Sequence, residues 1–201
     1  MTQPTRHAAD LSGLPTYGFG PASPIWWGTL GFVAIEATGF ILAAGSYLYI
    51  AWMNDGFPLG ADPPDLGPGT ALTLLLLASV VPNIWLDRMA RRQELRKVQL
   101  GLVVLSAVGI AACAIRVFEF PALNIRWDDN VYGSLAWLIL GLHATHLATD
   151  LADTLVLTAL MFTRHAKGKR FSDVSDNCAY WHFVVASWVP LYALLYGFPR
   201  L

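Results

Sequence analysis

Charge and cysteine are both scarce in this chain. Charged residues make up 13% of 201 positions, against about 25% in a soluble domain, so an ordinary water-soluble globule is excluded. The formal net charge is −1 with no basic field along the chain, which argues against a nucleic-acid partner. Cys113 and Cys178 are the only cysteines, and both fall in or beside apolar runs. There is no CxxC, no CxxCH haem-attachment site and no thiolate copper spacing; the two thiols read as small buried side chains. A Gly-rich phosphate loop after a strand, a nucleophile elbow, a Ser/His/Asp order and a repeat of fixed period are likewise missing. Residues 1–25 lack the apolar core of a secretory signal and read as a mobile polar tail.

What the chain has is apolar length. Hydrophobic residues reach 55%, with eight Trp. Runs of spanning length fall at about 26–53, 70–87, 98–120, 131–163 and 178–198, and about 20 apolar residues cross a bilayer core. They are too long and too unalternating for barrel strands, so each predicts a helix. The expected fold is all-α, a single polytopic domain of five membrane helices. Segments 54–69, 88–97, 121–130 and 164–177 separate the runs with Pro, Gly and charge. Ten Lys/Arg lie in the N-terminal tail and the second and fourth breaks, and two lie in the other breaks and the C-terminus. That asymmetry predicts a cytoplasmic N-terminus and an outside C-terminus. Trp26, Trp27, Trp85 and Trp181 then mark the inner interface, and Trp52 and Trp127 the outer one.

Ionisable residues inside such runs are costly and mark functional or assembly surfaces. Glu36 lies ten residues into the first run, roughly 15 Å deep at 1.5 Å per residue. It needs a partner or a proton, which suits a proton-linked role, an assembly contact or a neutral hydrogen bond to a neighbouring helix. Arg116 and Glu119, three apart near the outer end of the third run, share a face and predict an ion pair from which the Arg can snorkel. His143, His146, Asp150 and Asp153 form a polar stripe on the fourth run that should face other helices. His182 is expected early in the fifth run, at a depth unlike that of His143 or His146. Interhelical hydrogen bonding, haem or metal ligation and a proton relay are the open readings of these groups. Gly101, Gly109, Gly133 and Gly141 read as close helix-packing positions.

Four stretches in order carry a resemblance. They are the helix from Trp27 through Glu36 to Phe40; the basic turn Ala90 to Lys97 with the long helix closing on Arg116-Val117-Phe118-Glu119-Phe120; Tyr132-Gly133-Ser134 followed by Gly141-Leu142-His143-Ala144-Thr145-His146; and Tyr180-Trp181-His182-Phe183-Val184. Over residues 26–198 the chain resembles subunit III of the haem–copper oxidases, in a five-helix form. It departs from the family in lacking the first two of the seven helices many members have. Val185 stands where Asp is usual, Ser175 where Glu is common, and Arg116 where Gln or an acid is common.

The resemblance implies a non-redox subunit of a bacterial proton-pumping terminal oxidase in the cell inner membrane. It would stabilise the large catalytic subunit I and support proton uptake. No catalytic, cofactor or metal residue is then expected in this chain. Haem and copper would sit in partner subunits, with subunit II and membrane lipid as further partners and bound phospholipid as a ligand. An accessory subunit of a quinol oxidase or nitric oxide reductase is the alternative within the family. A membrane cytochrome using His143, His146 or His182, or a proton-coupled transporter through Glu36 and Asp153, are the alternatives outside it. The absence of an inverted repeat weighs against the transporter.

Overall fold

The computed structural model describes residues 17–54, 56–164 and 166–200. Five long helices carry the chain: α1 (Pro24–Met53), α2 (Leu66–Arg91), α3 (Leu95–Glu119), α4 (Val131–Met161) and α5 (Gly168–Tyr192). All five are long and apolar enough to cross a membrane, and no strand occurs among the described residues. The backbone in lipid must satisfy its own hydrogen bonds, and helices do so within one segment. Large apolar side chains face outward, among them Ile35, Val81 and Trp52, as a lipid solvent permits.

The helices outrun the apolar runs where polar residues follow. α2 takes in Gly67 and Pro68 at its start and Arg88 and Arg91 in its last turn, where cations complement the helix dipole. The break before α3 shrinks to Arg92–Glu94, with Gln93 left-handed at φ 55°. α5 begins at Gly168, ten residues before the apolar run. Its first turns are polar yet buried, with Ser172, Ser175 and Asn177 hydrogen-bonded to Gly18, Asp87 and Asp153. Trp181 is mid-helix and buried, and His182 lies well inside α5 rather than early in it. α5 also ends earlier than the apolar run. Pro190 removes a backbone donor, and a π-turn over Ala193–Gly197 and a 3₁₀ turn over Phe198–Arg200 follow.

α2, α3, α4 and α5 pack in a closed ring in which each touches the next, and α1 lies outside it against α4 and α5. The α2–α5 seam is a hydrogen-bond ladder of constant antiparallel register. Thr70 meets Tyr192 (2.7 Å), Trp188 donates to Thr73 (2.8 Å), Trp181 donates to Ser79 (2.9 Å), Asn83 donates to the Cys178 carbonyl (2.9 Å), and Ser175 donates to Asp87 (2.5 Å). In a medium without water such bonds hold helices together where hydrophobicity cannot.

Glycines admit close approach at particular points. A Cβ on Gly69 would enter the Tyr196 ring; on Gly101 it would meet Leu86 at 2.9 Å, and on Gly109 Leu151 at 2.8 Å. Gly133 packs against the Arg126 carbonyl of the preceding loop rather than another helix, and Gly141 meets no other helix of this chain. The N-terminal tail, expected mobile over 1–25, is described from Tyr17. There Ser172 donates to the Gly18 carbonyl (2.5 Å) and Arg91 sits over the Phe19 ring (5.9 Å); residues 1–16 lie outside the described residues. Both cysteines are free, Cys178 buried and Cys113 half-buried.

Candidate functional site: the intramembrane polar network

Among the described residues the ionisable side chains inside the bundle fall into three clusters. The first joins α3, α4 and the chain after α5. Arg116 is only 3% exposed and Glu119 0%. Nη1 of Arg116 donates to Glu119 Oε2 at 2.7 Å, and Nη2 donates to His143 Nδ1 at 2.7 Å. The guanidinium also lies 4.1 Å from the centre of the Trp188 ring. Tyr196 donates to the other Glu119 oxygen at 2.5 Å. The Arg thus does not snorkel to the interface: a carboxylate, an imidazole and an indole face hold it inside, and only Nε lacks a partner.

These contacts fix the chemistry of His143. A guanidinium can only donate, so Nδ1 accepts and the ring proton sits on Nε2. That nitrogen donates to the Val184 carbonyl at 3.0 Å. Both ring nitrogens are engaged, the imidazole is neutral, and neither is open to a metal.

The second cluster joins α1, α4 and α5. His146 Nδ1 faces the Leu142 carbonyl at 2.6 Å, which can only accept, so Nδ1 carries the proton. Its Nε2 lies 3.3 Å from Glu36 Oε1, and Tyr180 donates to Glu36 Oε2 at 2.7 Å. Further along the stripe, Asn177 donates to Asp153 at 3.1 Å, and Thr154 donates to Asn177 Oδ1 at 3.2 Å. Asp150 is buried beside them. These groups line a cavity of about 600 Å³ between α1, α4 and α5.

The third cluster sits on the α2 side. His182 Nδ1 approaches the Cys178 carbonyl at 2.7 Å and Asn83 Nδ2 at 3.0 Å. His143 pairs with Val184, so His182, two residues away, and His146, three residues away, lie within about a helical turn of one another in depth. The expected depth mismatch is therefore not what separates these histidines. They face different neighbours: His182 turns to α2, His146 to α1, and His143 to α3.

His143 has both ring nitrogens engaged, by the Arg116 guanidinium and the Val184 carbonyl, and Nδ1 of His146 and of His182 each faces a backbone carbonyl one turn back. Among the described residues no group of three or more His, Cys, Asp or Glu is arranged to hold a metal ion. Sequence reasoning missed Asn83, Asn177, Trp188 and Tyr196. A lone amide or aromatic in an apolar run signals nothing by itself, and Tyr196 reaches Glu119 across 77 residues of chain. Tyr180 was within reach, as the first residue of the aromatic motif that ends in Val184.

By class this is a polytopic α-helical membrane protein in which buried ionisable side chains bond across its own helices. The chain belongs to the cytochrome c oxidase subunit III family, whose model matches residues 47–199. It is similar to cytochrome c oxidase subunit 3 of Thermostichus vulcanus, 24% identical over 176 residues that cover 86% of this chain and 87% of the relative. It is also similar to the Drosophila yakuba subunit 3, 24% identical over 192 residues covering 92% of this chain and 72% of the relative. The protein of that name from Pylaiella littoralis is 27% identical over 124 residues, 62% of this chain and 46% of the relative. Family membership makes the chain a multi-pass membrane subunit III of a haem–copper oxidase, associated with other oxidase subunits of a respiratory chain.

Proposed function

We propose that the chain is the non-redox subunit III of a bacterial proton-pumping terminal oxidase that takes electrons from cytochrome c. It lies in the inner membrane with its N-terminus cytoplasmic and its C-terminus outside. It stabilises the catalytic subunit I and supports proton uptake, while haem and copper reside in partner subunits. The observation that carries this reading is the bonding of His143 and His146: an imidazole locked between Arg116 and Val184, and another between Leu142 and Glu36, act as interhelical braces rather than as ligands. The Lys/Arg asymmetry of the breaks supports the orientation. An apolar groove of about 470 Å³ between α1 and α5, walled by Phe40, Ile41, Leu48, Phe183 and Leu194, has the character an acyl chain of bound phospholipid requires.

In this reading Glu36 and the α4 stripe act in assembly and in proton-side stability. Glu36→Gln keeps a hydrogen-bond acceptor for Tyr180 and preserves assembly, whereas Glu36→Leu removes that acceptor and shortens the working life of the complex. Unchanged assembly, activity and stability in Glu36→Leu would sink that role. The assignment itself is tested by mild-detergent purification of the tagged chain from its native membrane, with a reduced-minus-oxidised spectrum and mass spectrometry of its partners. A haem- and copper-bearing subunit I with a cytochrome c-binding subunit II is the expected result. A catalytic subunit that oxidises quinol or reduces nitric oxide would move the chain to the other branches of its family, and haem bound by the chain alone would overturn the non-redox role.

A further inference from the structure

Tyr196, in the turn after α5, is the phenol of this bundle best placed to lose an electron. It is 1% exposed, and its hydroxyl donates to Glu119 Oε1 at 2.5 Å. That separation is at the short end for a charge-assisted O–H···O⁻ bond. Glu119 has no exposure, and its Oε2 accepts from Arg116. Both oxygens accept, so neither carries a proton. An oxidised phenol is a strong acid, so a tyrosine loses an electron readily when its proton can leave in the same step. A base within hydrogen-bond reach makes that transfer direct. The other phenols are worse placed. The hydroxyls of Tyr47 and Tyr132 are buried without a partner. Tyr192 pairs with the Thr70 hydroxyl at 2.7 Å, which is not a base. Tyr180 donates to Glu36, but its ring neighbours are Phe32 and Phe183, which resist oxidation.

Tyr196 also has a route for the electron. Its ring stacks on Tyr192 with centroids 4.8 Å apart, and Tyr192 lies 6.3 Å from Trp188. Tyr192 is half-buried, so this row of oxidisable rings reaches the edge of the bundle. The Arg116 guanidinium lies 4.1 Å from the centre of the Trp188 ring and opposes a positive charge there. On the other side Gly69 is pressed so close that a Cβ would enter the Tyr196 ring. We infer that Tyr196 is a one-electron oxidation site, with Glu119 as its proton acceptor. An electron leaves the ring through Tyr192 to a high-potential one-electron oxidant, of the class a haem centre or a ruthenium(III) complex supplies. The O–H bond breaks and the proton crosses to Glu119 Oε1. The products are a neutral phenoxyl, a Glu119 carboxylic acid still bonded to Arg116 through Oε2, and the reduced oxidant. A one-electron reductant such as ascorbate returns the electron, and the proton returns with it. The site needs no haem or metal in this chain and does not rest on the subunit assignment.

The test uses the full chain, within its complex or alone, in maltoside micelles. A light flash on ruthenium(II) trisbipyridine with persulfate generates the ruthenium(III) oxidant. Electron paramagnetic resonance and infrared difference spectra are recorded after radicals on exposed rings have decayed. The expected result is a persistent tyrosyl signal that narrows in protein grown on ring-deuterated tyrosine. A protonated-carboxyl band should appear with it in equal yield, and ascorbate should remove both. Tyr196→Phe keeps the ring and its stack, and should lose both. Glu119→Gln keeps an acceptor oxygen but not a base, and should lose the carboxyl band and most of the persistent signal. Tyr49→Phe, at an exposed ring of α1, should leave both unchanged. A persistent signal unaltered in a folded Tyr196→Phe, or lost in Tyr180→Phe instead, overturns the assignment. So does a wild-type radical formed without the carboxyl band, a result that depends on no variant folding.

Discussion

Replacing Arg116 with Met should be among the most damaging single changes in the bundle. Arg116 gives one hydrogen bond to Glu119 and one to His143, both at 2.7 Å, and covers the Trp188 ring. Met keeps much of the apolar stem and none of the donors. Glu119, with no exposure, is left with Tyr196 alone. Removing one partner of a buried ion pair costs about 3–5 kcal/mol, and stranding the His143 acceptor adds about 1–3 kcal/mol if it finds no donor. The two losses overlap, because a protonated Glu119 relieves part of the first, so about 4 kcal/mol is expected. Charge rather than volume is the cause, which makes a double variant decisive. Arg116→Met with Glu119→Leu removes both charges and should be less destabilised than Arg116→Met alone, giving a coupling energy above about 2 kcal/mol in a double-mutant cycle. Unfolding in mixed dodecyl sulfate–maltoside micelles, followed by helical circular dichroism and by fluorescence, reads both quantities. A loss below about 1 kcal/mol in the single variant, or additive losses in the double, would show that the pair is not braced as described.

Four further expectations follow from the same geometry. Gly69→Ala drives a methyl group into the Tyr196 ring; the C-terminal turn must shift, and a cost of about 1–3 kcal/mol should appear as a lower thermal midpoint. Asn83→Leu takes away the α2 amide that donates to the Cys178 carbonyl; about 1–2 kcal/mol of stability should go, with faster amide exchange along α5 but not along α3. Tyr180→Phe removes the hydroxyl that donates to Glu36; infrared difference spectra of the Glu36 carboxyl should shift, with a stability loss of about 1 kcal/mol, and an unshifted band would mean the bond is not formed. Orientation is read by labelling with an impermeant thiol reagent. Asp62→Cys should react only from outside the cell and Glu94→Cys only after permeabilisation, and the reverse pattern would refute the assignment from loop charge.

The sequence by itself determined the number of helices and the membrane setting. Both depend on the length of apolar runs, which is a local property of consecutive residues. It also marked the side chains that a lipid environment cannot ignore, and Arg116 and Glu119 were legible as a pair because three residues on one helix share a face. Ordered motifs identified the family for the same reason: each is a short local pattern. Only the tertiary structure decided what those side chains do. Whether His143 braces or ligates depends on Arg116, 27 residues earlier, and on a carbonyl 41 residues later. Whether Glu36 is stranded depends on Tyr180, 144 residues away. Helix ends moved for a related reason, since hydropathy marks where lipid stops and backbone hydrogen bonding carries a helix on through polar turns, as at Gly168. Depth along one helix is written in the chain, but the direction in which a side chain meets its neighbours exists only once five helices are packed together.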